Sequence, residues 1–198
     1  MSKYDKYNVS YGNTKIKNNL DMDELIMWQG KPKKSAFVIN SAVPLIPLVL
    51  FWGGIDLTIF LGVWISMQEL FIRLLVTGFI LVHMTPVWCW LHHIRKSAKV
   101  WEETEYAVTN KHIIICNGVA GAKVQKLKLT DVEDVVYSIG RVDTWIGVGD
   151  IHISLGAGGK KHGEYDIVDI VDVAGAFNAI TREMQEIKRQ KEAEKADK

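Results

Sequence analysis

The chain has 198 residues, enough for one ordinary domain or for a smaller domain joined to a membrane segment. Its 24 Lys and Arg against 23 Asp and Glu lack the basic excess of a nucleic-acid binder, so no nucleic-acid partner is expected. A hydrophobic fraction of 48% excludes disorder for most of the chain, yet Ala36–Leu91 holds only three formal charges, Asp56, Glu69 and Arg73.

Residues 1–22 are polar and rich in Lys, Asn and Tyr, and read as a mobile tail. A secretory signal would need an apolar stretch near the start and a small-residue cleavage site, and the sequence shows neither. From Ala36 to Ile55 only Asn40 and Ser41 are polar, about 20 residues that as a helix match the roughly 30 Å of bilayer hydrocarbon. Pro44 and Pro47 are expected to bend this helix. Leu70–Leu91 is a second span, with Arg73 close enough to one end to snorkel and Trp88 and Trp90 near the other. Leu57–Met67 is too short to cross and either lies along the interface or lengthens a helix. Lys31, Lys33 and Lys34 precede the first span, and Arg95, Lys96 and Lys99 follow the second. Positive flanks mark the cytoplasmic side, so the expected layout within 23–99 is a two-helix hairpin in the cell membrane. Both termini are then cytoplasmic, and Asp56–Glu69 faces outward or lies in the outer interface.

After Lys99 the pattern becomes short and alternating. Tyr106–Thr109, Ile113–Cys116, Val124–Leu129, Val132–Ile139, Ile151–Leu155 and Glu164–Ile167 read as strands, with turns at Asn110-Lys111 and Asn117-Gly118. Gly156–Gly163 reads as a hairpin loop. Val173, Phe177, Ile180, Met184 and Ile187 then recur every three or four residues, a helical stripe capped by Asp169 or Asp172. Phe177, mid-stripe, is expected to plug the open end of the β structure, at a cost of about 3–5 kcal/mol if truncated to Ala. Residues 188–198 form a charged tail, solvated and frayed.

Trp28-Gln29-Gly30-Lys31-Pro32, Tyr106-Ala107-Val108-Thr109-Asn110, the strand approach Leu129–Val135 and Gly147-Val148-Gly149-Asp150-Ile151-His152-Ile153 occur in an order that resembles bacterial membrane proteins carrying a pleckstrin-homology (PH) domain. The resemblance implies an α+β chain: a two-helix transmembrane hairpin (helices about 36–55 and 70–91), then a PH-like antiparallel β-barrel over 101–187 capped by a C-terminal α-helix. It makes Trp28, Gly147, Gly149 and Phe177 structural residues. His112 stands where the family commonly has Arg, and the usual Pro before the last helix is missing around Asp169–Val173.

Candidate chemistry is sparse. Cys89 and Cys116 have neither zinc nor redox spacing and read as inert thiols. His83 and His93 lie ten residues apart, too far for one metal on one helix, and His92-His93 reads as part of an interfacial basic collar. Gly159-Lys160 fails the phosphate-loop pattern because Lys161 replaces Ser or Thr. Lys160, Lys161 and His162 at that loop tip, with Lys111 and Lys123, remain as contacts for anionic lipid or a partner. No catalytic residue, metal or cofactor is expected. The function read from the sequence is a membrane-anchored PH-like interaction module on the cytoplasmic face, not an enzyme, binding a protein partner, itself or lipid headgroups. The alternative is an accessory subunit of a transport or envelope-stress system acting through its membrane helices.

Overall fold

The computed structural model describes residues 16–117, 123–156 and 163–196. The chain divides into two compact units, Met1–Phe37 together with Val100–Lys198, and Val38–Lys99.

The first unit is built on two antiparallel sheets. One has the order β1-β2-β3-β4, from Ile26–Gly30, Glu105–Thr109, His112–Asn117 and Lys123–Lys128. The other has the order β5-β6-β7, from Val132–Ser138, Gly149–Leu155 and Glu164–Ile170. Six of these strands lie where the alternation expects them. The seventh, β1, is the Trp28 box, whose five residues show too little alternation to announce a strand. It pairs with β2 across the whole intervening segment, Trp28 opposite Val108 and Gly30 opposite Tyr106.

β3 is buried at four successive positions, Ile113–Cys116, because both its faces are covered. Ile113 and Ile115 enter the main core with Trp28, Ile151, Ile153 and Ile167. Ile114 and Cys116 face the other way, against Ala107 and Ile16. Ile16 belongs to the polar tail expected to be mobile, yet it is fully buried. A single isoleucine within a polar stretch gives no period to read.

Among the described residues no ladder joins the two sheets, so the expected closed barrel is found as two separate sheets. A short 3-10 turn, Leu129–Asp131, carries the chain from β4 to β5 in place of pairing. The C-terminal helix, Val173–Ala196, packs on both sheets, touching β1 and β2 of one and β5 and β6 of the other. Its buried stripe is Val173, Ala176, Ala179, Ile180 and Glu183. Ile180 is 0% exposed, and Phe177 is half-buried, packed against the main core and edge-on to Tyr137 at 5.1 Å. Asp172 supplies the cap, its Oδ1 accepting from Gly175 N–H at 3.0 Å. Its Oδ2 accepts from Trp28 Nε1–H at 3.2 Å, tying β1 to the helix start.

The second unit is helical. α1 (Lys34–Ala42) passes through a 3-10 turn at Val43–Leu45, containing Pro44, into α2 (Ile46–Ser66). Leu57–Met67 therefore does not lie apart; all but its last residue lengthens α2, which also contains Asp56. α3 (Leu70–His83) and α4 (Thr85–Glu103) follow, bent by 45° at Met84, where Pro86 cannot donate back to the preceding turn. Lys34–Ser66 is long and apolar enough to cross a membrane and only 6% buried; α3 with α4 qualifies only as a bent pair. Indole N–H groups link the helices: Trp52 to His83 O, Trp64 to Thr77 Oγ1 and Trp90 to Ala42 O.

Candidate functional site

An exposed apolar surface of the first unit lies on β5 and the short helix after it, α5 (Arg141–Ile146). β5 is an edge strand, and Val136, Tyr137 and Ile139 at its end are each about half exposed. Gly140 N–H donates to Asp143 Oδ2 at 3.0 Å, which starts α5. Gly147, at φ 75°, ends it, its N–H donating to Asp143 O at 2.7 Å. Between these stops Val142 and Trp145, three residues apart, share one helical face. Trp145 is 91% exposed. Scattered exposed hydrophobes are ordinary, but an indole held out on a capped turn beside an apolar edge strand is not. The sequence reading passed over Arg141–Ile146. Its signal was there, in the Gly140-x-x-Asp143 start and the Gly147 stop, but six residues are too few to show a period.

Gly149 closes the turn after α5. A side chain there would meet Ser138 O at 3.1 Å and Val173 Cγ1 at 3.2 Å, so both glycines of the Gly-Val-Gly element have a stated physical need.

The same unit holds both ends of the helical segment. Trp101 Nε1–H donates to Pro32 O at 2.6 Å, and the Lys31 and Lys34 ammoniums lie over the Trp101 ring, 4.5 and 4.9 Å from its centroid. Lys31 Nζ donates to Glu102 O, and Lys33 Nζ to Ile146 O at 2.7 Å, at the end of α5. Lys33 N–H also donates to Asp169 O, whose own N–H donates to Asp150 Oδ1. Burial raises the Asp150 carboxyl above its ordinary range, and burial likewise raises the Tyr106 phenol.

Of the residues expected to contact lipid or a partner, the two described ones, Lys111 and Lys123, lie apart. Lys111 is exposed at the β2–β3 turn, and Lys123, opposite Asn117, lies at the far end of the β3–β4 pair. Lys160, Lys161 and His162 lie outside the described residues. His112 is committed elsewhere: its Nδ1 is 2.9 Å from Glu24 Oε1, which also accepts from Thr109 Oγ1–H. Burial pushes Glu24 up, but the Asp21 N–H and the Thr109 and His112 contacts outweigh it, and its carboxyl lies below the ordinary value. Lys126 bonds Asp21, lowering that carboxyl too. Asp21, Glu24 and His112 converge within 4.8 Å, the spacing of a metal site, but their contacts with Lys126, Thr109 and each other make a polar clasp between the segment before β1 and the β2–β3 turn.

One further arrangement escaped the sequence. Ser138, His152 and Asp166 stand on three neighbouring strands, with Ser138 Oγ 3.0 Å from His152 Nε2 and His152 Nδ1 2.7 Å from Asp166 Oδ1. The order matches a nucleophile, base and orienting acid. Both ion-pair partners are half exposed on the sheet face. Catalysis needs an enclosed site and an oxyanion hole as well as the three groups. Cross-strand hydrogen bonding is the role this geometry supports.

No curated protein matches the chain. Among solved structures, it is similar to a DUF1696 family protein with a pleckstrin-homology domain from Shewanella loihica PV-4, at 16% identity and a TM-score of 0.32 over 41% of this chain and 70% of that one. Residues 46–184 match the family model described as Bacterial PH domain, more than half of the chain, and the chain accordingly belongs to the bacterial PH domain family.

Proposed function

We propose that the protein is a membrane-anchored interaction module: the helices of Val38–Lys99 form a two-helix hairpin in the cell membrane, and the PH-like unit docks a protein partner on its cytoplasmic face without catalysis. The observation that carries this reading is Trp145, exposed with Val142 on α5 next to the apolar edge of β5. Interface hot spots are enriched in Trp and surrounded by apolar neighbours, which is the composition here. An edge strand adds unpaired backbone groups with which a partner can pair. A protein surface is favoured over a lipid headgroup because the described lysines are dispersed or engaged with indoles and backbone carbonyls.

Anchoring is supported by the outward-facing apolar side chains of the helical unit, such as Phe51, Ile65, Phe71 and Val82, which water would penalise. Positive residues at both flanks favour a cytoplasmic root for the hairpin.

The test is photo-crosslinking in native membranes from a photoreactive residue at Val142, with Glu192 on the exposed end of the last helix as control. A discrete protein adduct at Val142, absent at Glu192 and reduced about thirtyfold or more by Trp145→Ala, is expected for a hot-spot loss of about 2 kcal/mol. Equal adducts at both positions, or lipid adducts alone at Val142, would overturn a protein-docking face.

A further inference from the structure

The three-stranded sheet has a second edge strand, β7, on the side away from the β5 face. Backbone groups along an antiparallel strand point alternately toward and away from the paired strand. Leu155 N–H donates to Gly163 O at 3.4 Å, which sets the phase: the backbone groups of Gly163, Tyr165 and Ile167 turn toward β6. Those of Glu164, Asp166 and Val168 turn outward. Val168 N–H agrees, donating to the Tyr106 hydroxyl and not to β6. Among the described residues, nothing bonds the outward N–H and C=O groups of Glu164 and Asp166. A groove of about 460 Å³ lies alongside, lined by Glu164, Tyr165 and Asp166 of β7 and by Ile115, Asn117 and Gln125 of the first sheet.

We propose that β7 binds an extended peptide segment as an added antiparallel strand, with Lys or Arg on its solvent face and apolar residues on its groove face. The side chains of Glu164 and Asp166 share the outer face of the sheet with Ser154 and His152, opposite them on β6, while Tyr165 turns inward onto the core. Both acids are exposed; Asp166 gives one oxygen to His152 and stays half exposed, and Glu164 has no ion pair among the described residues. Directly opposed residues of an antiparallel pair lie on the same face, so the added residues across from Glu164 and Asp166 stand beside carboxylates. Opposite charge is favoured there and like charge is not. The intervening residues face Tyr165 and Ile115, where apolar side chains are removed from water.

The same charges exclude a second copy of β7 as the occupant. Two β7 strands could pair only through their outward residues, which sets carboxylate against carboxylate. Exposed edges are commonly guarded by Lys or Pro, and Glu164–Ile170 contains neither. The inference is independent of the Trp145 face, since it uses the opposite edge of the sheet.

The test uses the full chain in phosphatidylcholine nanodiscs, whose headgroups carry no net charge, and a fluorescein-labelled heptapeptide amide, Lys-Val-Lys-Val-Lys-Val-Lys, followed by fluorescence anisotropy. Saturable binding is expected. In the proposed pairing the lysine N–H groups face β7 and the valine N–H groups face away. N-methylation of the lysines is therefore expected to weaken binding about tenfold or more, and N-methylation of the valines to leave it within about threefold. The peptide Glu-Val-Glu-Val-Glu-Val-Glu is expected not to compete. Glu164→Pro removes an outward N–H and a carboxylate at the first residue of an edge strand, where Pro is tolerated, and is expected to weaken binding about tenfold or more. Glu164→Lys, at an exposed position with no described partner, guards against misfolding of the first variant and is expected to weaken binding about threefold or more. Equal effects of the two N-methylations, full competition by the acidic peptide, unchanged binding by a folded Glu164→Pro or Glu164→Lys chain, or no binding by the folded wild type would each overturn the proposal.

Discussion

Trp28→Ala tests whether the strand before the helices is integral to the PH-like unit. The indole is 4% exposed within the main core, and its N–H reaches Asp172 Oδ2 at 3.2 Å. Truncating a buried aromatic to Ala costs about 3–5 kcal/mol, and losing a hydrogen bond to a carboxylate contributes within that range. Trp28→Phe retains most of the packed ring and gives up the N–H, so a smaller loss of about 1–2 kcal/mol is expected. Asp172 Oδ1 still caps the last helix in both variants, so that helix is not itself unfolded. Phe177→Ala provides the contrast. Half-buried, Phe177 is expected to cost less than Trp28, below the 3–5 kcal/mol of a fully buried aromatic. The assay is urea unfolding, by tryptophan fluorescence and circular dichroism, of a chain in which Val38–Lys99 is replaced by a flexible Gly/Ser segment. That chain is expected to unfold cooperatively, and Trp101–Lys198 alone is not. A Trp28→Ala loss below about 1 kcal/mol, or cooperative unfolding of Trp101–Lys198 with an unchanged midpoint, would refute the reasoning.

Gly147→Ala, at φ 75°, is expected to cost about 1 kcal/mol, and Gly149→Val more, because its side chain meets the backbone oxygen of Ser138; thermal unfolding of both reads the order. Glu24 has a carboxyl depressed below its ordinary 4.5 in the folded chain, so it contributes stability above that pH which is lost as pH falls through the folded value. Glu24→Gln is expected to flatten the acid limb of a stability–pH curve, and an unchanged limb would exclude the clasp as its source. Ser138 is expected to resist fluorophosphonate labelling at a concentration that saturates a serine hydrolase, and a covalent adduct at Ser138 by mass spectrometry would reopen the catalytic reading.

The strands after Lys99 were legible because alternation and turn residues survive wherever one face is buried. β3 kept its signal despite burial on both faces, since Ile113–Ile115 is β-branched and the strand is bounded by Asn110-Lys111 and Asn117. β1 was hidden because its partner lies far along the chain, and a five-residue segment with one buried residue carries no period. The terminal helix was legible as a stripe, but which residue lies deepest was not. Ile180 and Phe177 are three apart on nearly the same face, and only the packed sheets decide between them. The Lys and Arg flanks that put Asp56–Glu69 on the outer side carry no information on whether Asp56 itself is buried. Its burial depends on His83, contributed by a different helix, and pairing across 27 residues leaves no local trace.

If docking belongs to the PH-like unit, the helices serve only to hold it at the membrane. Exchanging Val38–Lys99 for an unrelated two-helix anchor, with the photoreactive residue retained at Val142, measures this directly. Confinement to the membrane raises effective concentration whatever hairpin provides it, so the adduct is expected to persist with a yield within about threefold of the native chain. Loss of the adduct, in a chain shown to be inserted and folded, would contradict the claim and assign partner recognition to the native helices.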